Sequence, residues 1–134
     1  MELGNLAKLE LLLLPNNVLT GSIPSQIFNI SSLTNLDLTY NRLVGSLPDN
    51  RCQNLPVLEG LFISYNQLTG PIPTILWKCR ELHVVSLASN KFQGGIPRDI
   101  GNLTSVRNLF LGNNSLIGTY IYEPLSVKIF LVIY

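Results

Sequence analysis

Asp37, His83 and Ser86 supply the three side-chain types of a hydrolase triad. In such a triad the serine attacks, the histidine takes its proton and the aspartate orients the histidine. Their spacing does not support that chemistry. No Gly-x-Ser-x-Gly segment exists in the chain, so no strained turn presents a serine hydroxyl. The repeat frame of the chain sets Asp37 two strands from His83, about 10 Å apart at the usual spacing of neighbouring strands. That exceeds hydrogen-bond reach. Metal chemistry is equally poorly supplied. His83 is the only histidine, and the two cysteines, Cys52 and Cys79, fall short of a four-cysteine zinc site. The phosphate-handling motifs of a protein kinase (a glycine-rich loop, a Val-Ala-Ile-Lys strand, a His-Arg-Asp loop) do not occur. No catalytic residue, cofactor or metal is expected, and the chain reads as a non-enzyme.

The bulk numbers narrow the class further. Of 134 residues, 46% are hydrophobic and 13% charged, too apolar a mixture for disorder. A formal net charge of +1 gives no electrostatic case for nucleic-acid binding. The chain opens Met1-Glu2-Leu3 without a basic segment, and the apolar run Leu11–Leu14 is too short for a secretory signal. The stretch Leu125–Tyr134 is interrupted by Lys128 and falls short of the ~20 residues a membrane span requires.

The informative feature is periodicity. Asparagine recurs at Asn17, Asn41, Asn66, Asn90 and Asn114, at intervals of 24, 25, 24 and 24 residues. Glycine follows each after four residues, at Gly21, Gly45, Gly70, Gly94 and Gly118. Pro24, Pro48, Pro73 and Pro97 hold one further phase. A period of this length on a leucine–asparagine frame marks a repeat solenoid with one short strand per coil. Apolar residues two apart share a face of a strand, which centres the strands on Leu12–Leu14, Leu36–Leu38, Leu61–Ile63, Val85–Leu87 and Leu109–Leu111. Stacked, they form a parallel sheet. The asparagines are expected to be structural. Each stands where the chain leaves its strand, and its amide offers two donors and an acceptor to backbone groups inside the coil. Ile23, Leu47, Ile72 and Ile96, each before a proline, are expected to plug the core. Ile27, Ile30, Leu76, Ile100 and Leu103 are expected to line the opposite wall.

Stacking converts equivalent outward positions into columns. One reads Leu13, Asp37, Phe62, Ser86, Phe110; another Asn16, Tyr40, Tyr65, Ser89, Asn113; a third Glu10, Thr34, Glu59, His83, Arg107. The candidate binding residues are Asp37, Tyr40, Phe62, Tyr65, His83, Ser86, Arg107 and Phe110. Tyr40 and Tyr65 fall side by side with Phe62 near them. Exposed aromatics on a rigid surface either anchor a ligand or stabilise the sheet by cross-strand packing. Asp37 either pairs with a basic ligand group or is solvated. His83, between Glu59 and Arg107, is a solvated surface histidine or a pH-responsive one.

The frame LxxLxLxxNxLxGxIP resembles the plant-specific leucine-rich repeat. Thr20-Gly21-Ser22-Ile23-Pro24 and Thr69-Gly70-Pro71-Ile72-Pro73 match it. So do the linking phrases Ile27-Phe28-Asn29-Ile30-Ser31-Ser32-Leu33 and Ile100-Gly101-Asn102-Leu103-Thr104. Over about residues 3–118 the chain is similar to ectodomains of plant receptor-like serine/threonine kinases, the group that includes flagellin- and elongation-factor-sensing receptors. The resemblance implies an α/β solenoid: a right-handed superhelix of about five 24-residue repeats with short parallel strands on the concave face. It further implies a protein- or peptide-binding module at the extracellular face of the plasma membrane. Its partners would be a peptide or protein ligand and a leucine-rich-repeat co-receptor, with no nucleic acid and no membrane insertion by the chain itself. A parent receptor would carry its kinase on a domain that these residues do not contain.

The expected division is a repeat domain over 1–119 with incomplete caps and a non-repeat hydrophobic tail over 120–134. The fifth repeat lacks its proline, with Gly118-Thr119-Tyr120-Ile121 in its place. The tail reads as foreign sequence on a truncated gene product, or as a cap on the last coil, since Ile129–Ile133 has strand-type composition. A truncated receptor fragment is thus one reading, and a vestigial repeat fragment without binding activity the other. Cys52 and Cys79 lie at inward positions on successive coils, three residues out of phase. Two buried thiols are expected there rather than a disulfide. Asn29, Asn102 and Asn113 each open an Asn-x-Ser/Thr sequon, a glycan acceptor in a secreted chain.

Overall fold

The computed structural model describes residues 6–49, 52–74, 76, 79–96, 105–117 and 128–130, with backbone alone at 52 and 128–130. Pro97, Ile100, Asn102, Leu103, Gly118 and the rest of 119–134 lie outside the described residues. In chain order the strands are β1 (Leu11–Leu13), β2 (Thr20–Ser22), β3 (Asn35–Asp37), β4 (Arg42–Val44), β5 (Gly60–Phe62), β6 (Thr69–Gly70), β7 (Val84–Ser86), β8 (Lys91–Gly95), β9 (Asn108–Phe110), β10 (Ser115–Ile117) and β11 (Lys128–Phe130).

The odd-numbered strands form one six-stranded sheet in the order β1-β3-β5-β7-β9-β11. Every pairing in it is parallel, with Leu12, Leu36, Leu61, Val85 and Leu109 in one register line. The strands begin one residue earlier than the leucine pairs suggest. This is a boundary effect and not a register slip. The third position of each pair still bonds across the sheet: the N–H of Leu38 donates to the Phe62 carbonyl at 2.8 Å, Ile63 to Ser86 at 2.9 Å and Leu87 to Phe110 at 2.8 Å. β11 extends the sheet in register with β9, Ile129 opposite Leu109, so residues 128–130 act as a further rung.

A second, narrower ladder runs beside the first. β2 pairs with β4, and β6, β8 and β10 pair in turn, the two sets joined by a bridge between Ser46 and Thr69. These strands contain or adjoin the glycines of the repeat. Gly70 has φ +83°, and a Cβ there would stand 3.0 Å from Cβ of Ser46 on the preceding coil. The glycine thus allows both the left-handed backbone and the close approach of coils.

The core lies between the sheet and the opposite connections. Leu33, Leu36, Leu61, Leu68, Leu82, Val85, Leu87, Phe92 and Leu109 are fully buried. Each such side chain contributes on the order of 1.5–3 kcal/mol on leaving water. Ile23, Leu47, Ile72 and Ile96 are buried in front of their prolines, as are Ile27 and Ile30, while Leu76 packs partly buried against the core. The connection after β2 is a 3-10 helix, Ser25–Asn29, which buries Ile27 and Phe28. A second follows at Cys52–Asn54. No α-helix occurs among the described residues.

The expectation of two free thiols is corrected. Cys79 is disulfide-bonded, and Cys52 is the chain's other cysteine. A three-residue phase offset argued against a bond, but it carries a different meaning in this local geometry. Cys52 opens the 3-10 helix Cys52–Asn54, and the N–H of Cys79 donates to the Leu76 carbonyl three residues back, at 3.3 Å. In 3-10 geometry residues three apart share a face, about 6 Å apart along the axis. An offset of three residues is thus one turn of such a segment and does not exclude a bond.

Candidate binding surface

Each coil leaves its sheet strand through the same turn, and the asparagine holds that turn. Asn66 donates from Nδ2 to the carbonyls of Ile63 and Ser64 in its own coil and of Leu38 in the preceding coil. Its Oδ1 accepts the N–H of Leu43 at 3.0 Å. Asn41, Asn90 and Asn114 repeat the pattern, accepting from Leu19, Leu68 and Phe92 and donating back to Leu14, Ile63 and Leu87. Asn17 is exposed and donates only within its own coil, to Leu14 and Pro15. One amide per coil thus satisfies backbone groups that each cost about 1–3 kcal/mol when buried unpaired.

The residue before each asparagine is left-handed: φ is 56° at Asn16, Tyr40, Ser89 and Asn113 and 57° at Tyr65. Asparagine accepts that region at little cost, whereas a bulky side chain there is unusual. Two of the five positions hold asparagine, and two adjacent ones hold tyrosine. The tyrosine rings stack, centroids 4.2 Å apart and planes 8° from parallel, with about half of each side chain exposed. The Tyr40 phenol is pushed above the ordinary tyrosine range, first by hydrogen bonding to the Tyr65 phenol, then by desolvation and by the charge that Tyr65 would carry.

Three residues earlier in each coil, the sheet brings Asp37, Phe62, Ser86 and Phe110 into one row, each opposite the next. Phe62 is half-buried, and its ring lies across Gly60. A Cβ at Gly60 would collide with the Phe62 ring edge and with Oδ1 of Asn35. The missing side chain is a notch that lets the aromatic lie along the sheet. Asp37 turns to its own loop, its Oδ1 accepting the Thr39 N–H at 2.9 Å. Ser86 shares a hydroxyl–hydroxyl bond with the buried Ser64. The third row is joined through the backbone: His83 donates to the Glu59 carbonyl at 2.8 Å, and Arg107 to the His83 carbonyl at 2.7 Å. Phe62 therefore separates Asp37 from Ser86, and the residue types of a hydrolase do not meet. Among the described residues no three metal-ligating side chains gather, and no helix is long and apolar enough to cross a membrane.

What arises is a polar-and-aromatic surface with fixed columns. The left-handed turn and the glycine notch were not anticipated from sequence. The only hint of the first was asparagine at two of its five positions. Of the sequon asparagines, Asn29 ends the 3-10 helix Ser25–Asn29, Asn113 stands in the tyrosine column, and Asn102 lies outside the described residues.

Comparison with known proteins agrees with this geometry. The family described as "Leucine rich repeat" matches residues 31–92. Receptor-like protein 41 of Arabidopsis thaliana is 49% identical over 47 residues, 35% of this chain and 5% of that protein. The Arabidopsis receptor kinase HAESA, solved with the peptide hormone IDA and the co-receptor SERK1, superposes with a TM-score of 0.85 at 34% identity, over 96% of this chain and 22% of that one. The BIR2 ectodomain from Arabidopsis thaliana gives a TM-score of 0.78 at 36% identity, over 83% of this chain and 58% of that one. The chain thus spans one-twentieth of the curated relative and under two thirds of either ectodomain.

Proposed function

From the premise that this chain is a leucine-rich-repeat solenoid similar to plant receptor ectodomains, we propose that it is a non-catalytic module that binds an extended peptide or protein through its sheet face. The observation that carries this reading is the Tyr40–Tyr65 stack. The turn requires a left-handed residue, which tyrosine accepts poorly. Placing two tyrosines there, stacked and half exposed, keeps large, rigid contact area on the surface, the usual make-up of a binding hot spot. HAESA, similar in fold, was solved with a peptide hormone and a co-receptor. A peptide along the columns and a second repeat protein at the edge are the matching partner classes here. The buried disulfide at Cys79 supports an oxidising, extracellular setting.

Selection of linear peptides from a displayed library against the full chain tests the reading. Enriched peptides are expected to lose affinity about tenfold or more on Tyr40→Ala or Tyr65→Ala, the ~1.4 kcal/mol that one anchoring aromatic supplies. Binders indifferent to both changes would refute it.

A second reading, a structural repeat fragment without binding activity of its own, is favoured by the first coil. Leu14 is 39% exposed where its counterparts Leu38, Ile63 and Leu87 are buried, and Asn17 makes only own-coil bonds. A chain that self-associates and enriches no peptide would support this reading over the first.

A further inference from the structure

We propose that Asn29 is an N-glycan acceptor of this chain and that Asn113 is not, so that sugar sits on the connection between β2 and β3 while the tyrosine column stays bare. This holds whatever the sheet face binds. Both residues head a sequon, Asn29-Ile30-Ser31 and Asn113-Asn114-Ser115, and both are exposed. Their surroundings differ.

Asn29 is the last residue of the 3-10 helix Ser25–Asn29. Its Oδ1 accepts from Nδ2 of Asn54 at 3.1 Å. Its own Nδ2, the atom a glycan occupies, points to no acceptor among the described residues. Ser31, whose hydroxyl completes the sequon, is exposed, and only Ile30 between them is buried. Glycosylation joins Nδ2 to C1 of the sugar, breaks the C1–O bond to the diphosphate of a lipid-linked oligosaccharide donor and releases one amide proton. The Oδ1 acceptor is untouched, so the bond to Asn54 survives the modification.

Asn113 is bound into the ladder. Its Nδ2 donates to Oγ of Ser89 at 3.1 Å. The next residue, Asn114, donates to Leu87, Leu111 and Gly112 and accepts from Phe92. Ser115 lies in β10, paired with Gln93. Drawing this sequon out to a transferase would dissolve four side-chain bonds of Asn114 and a strand pairing. Drawing out the end of a five-residue 3-10 segment disturbs far less. A glycan on Asn113 would also share the column of Tyr40 and Tyr65 and cover the surface they form.

The test routes the full 134-residue chain through a eukaryotic secretory pathway behind a cleavable signal. Glycans are then removed with an amidase in oxygen-18 water, which marks each former acceptor as labelled aspartate for peptide mass spectrometry. The expected result is label at Asn29 and none at Asn113. Ser31→Ala should abolish the label at Asn29 while leaving the Asn29–Asn54 bond and the fold in place, as should Asn29→Gln at the cost of that bond. Label at Asn113, or an unlabelled Asn29, would overturn the proposal.

Discussion

Replacing Asn66 with alanine probes the repeat's main polar device. The side chain is 8% exposed. It donates to the carbonyls of Leu38 at 2.9 Å, Ile63 at 3.1 Å and Ser64 at 3.3 Å, and accepts the Leu43 N–H at 3.0 Å. The three carbonyls keep other donors: Asn41 Nδ2 at 2.9 Å for Leu38, Asn90 Nδ2 at 3.0 Å for Ile63 and the Tyr40 N–H at 3.0 Å for Ser64. Leu43 is left with a buried, unpaired N–H. That orphan costs about 1–3 kcal/mol, and the weaker carbonyl bonding brings the expected loss to about 2–4 kcal/mol. With a urea dependence near 1.5 kcal/mol per molar, the unfolding midpoint of the full chain should fall by roughly 1.5–2.5 M. The matched control is Asn17→Ala, whose exposed amide bonds only within its coil; its cost should stay below about 1 kcal/mol. Asn66→Asp sharpens the test. It keeps an acceptor for Leu43 but turns a carboxylate toward three carbonyl oxygens, which raises its folded-state pKa. The stability of that variant is then present at low pH and lost as pH rises through the raised value. Equal midpoints for Asn66→Ala and Asn17→Ala, or an aspartate variant as stable at pH 7 as the parent, would refute the account of the ladder.

Three further outcomes follow from the geometry. Because hydrogen bonding to Tyr65 is the main cause of the raised Tyr40 pKa, Tyr65→Phe should bring Tyr40 back toward the ordinary value in an ultraviolet titration. The stacked pair should be intact below pH 10 and lost only as pH rises through the raised value, so an unaltered titration in Tyr65→Phe would contradict the contact. Gly60→Ala should lift the Phe62 ring off the sheet, since the new Cβ meets side-chain ends of Phe62 and Asn35 that can swing aside; the expected cost is about 1 kcal/mol, with a changed near-ultraviolet circular dichroism, and an unchanged aromatic signal would count against the notch. Reducing the disulfide should release a loop of 27 residues (79 − 52) and remove roughly 3.5 kcal/mol by loop entropy; a melting temperature indifferent to reductant would argue against the cross-link.

Much of the coil was legible because its causes are periodic. Asn41, Asn66, Asn90 and Asn114 stand at one phase and make one set of bonds, and a role that must be met in every coil leaves a mark in every repeat. Leu36, Leu61, Val85 and Leu109 were placed in the core by the same logic. What escaped was local. The left-handed turn is common to five residues of three kinds, so no residue type announces it. In the second ladder, β2, β6 and β8 contain glycine, a residue of low strand propensity, and Gly70 allows the close approach of coils. The disulfide is hidden from residue phase because phase does not fix position along a coil where the chain bonds three residues back, as the Cys79 N–H does to the Leu76 carbonyl.

The division of labour within the coil explains why the fold is readable and the ligand is not. Cohesion between coils resides in the buried leucines and in the asparagine amides, both on the inner side of the turn. The outer positions carry little of it, the Ser64–Ser86 hydroxyl bond and the Tyr40–Tyr65 stack being the contacts they add. That is why one column can run from Asp37 through Phe62 and Ser86 to Phe110, an acid, two aromatics and a hydroxyl, without disturbing the register of the leucines between them. Freedom from structural duty lets such a column be specific, and it also removes the repetition from which a sequence can be read. The tyrosines at 40 and 65 are the exception that can be argued, because the turn constrains their backbone. A residue kept where its conformation is unfavourable, stacked on its own kind and open to solvent, offsets that cost through the stack and, under the proposed function, through contact with a ligand.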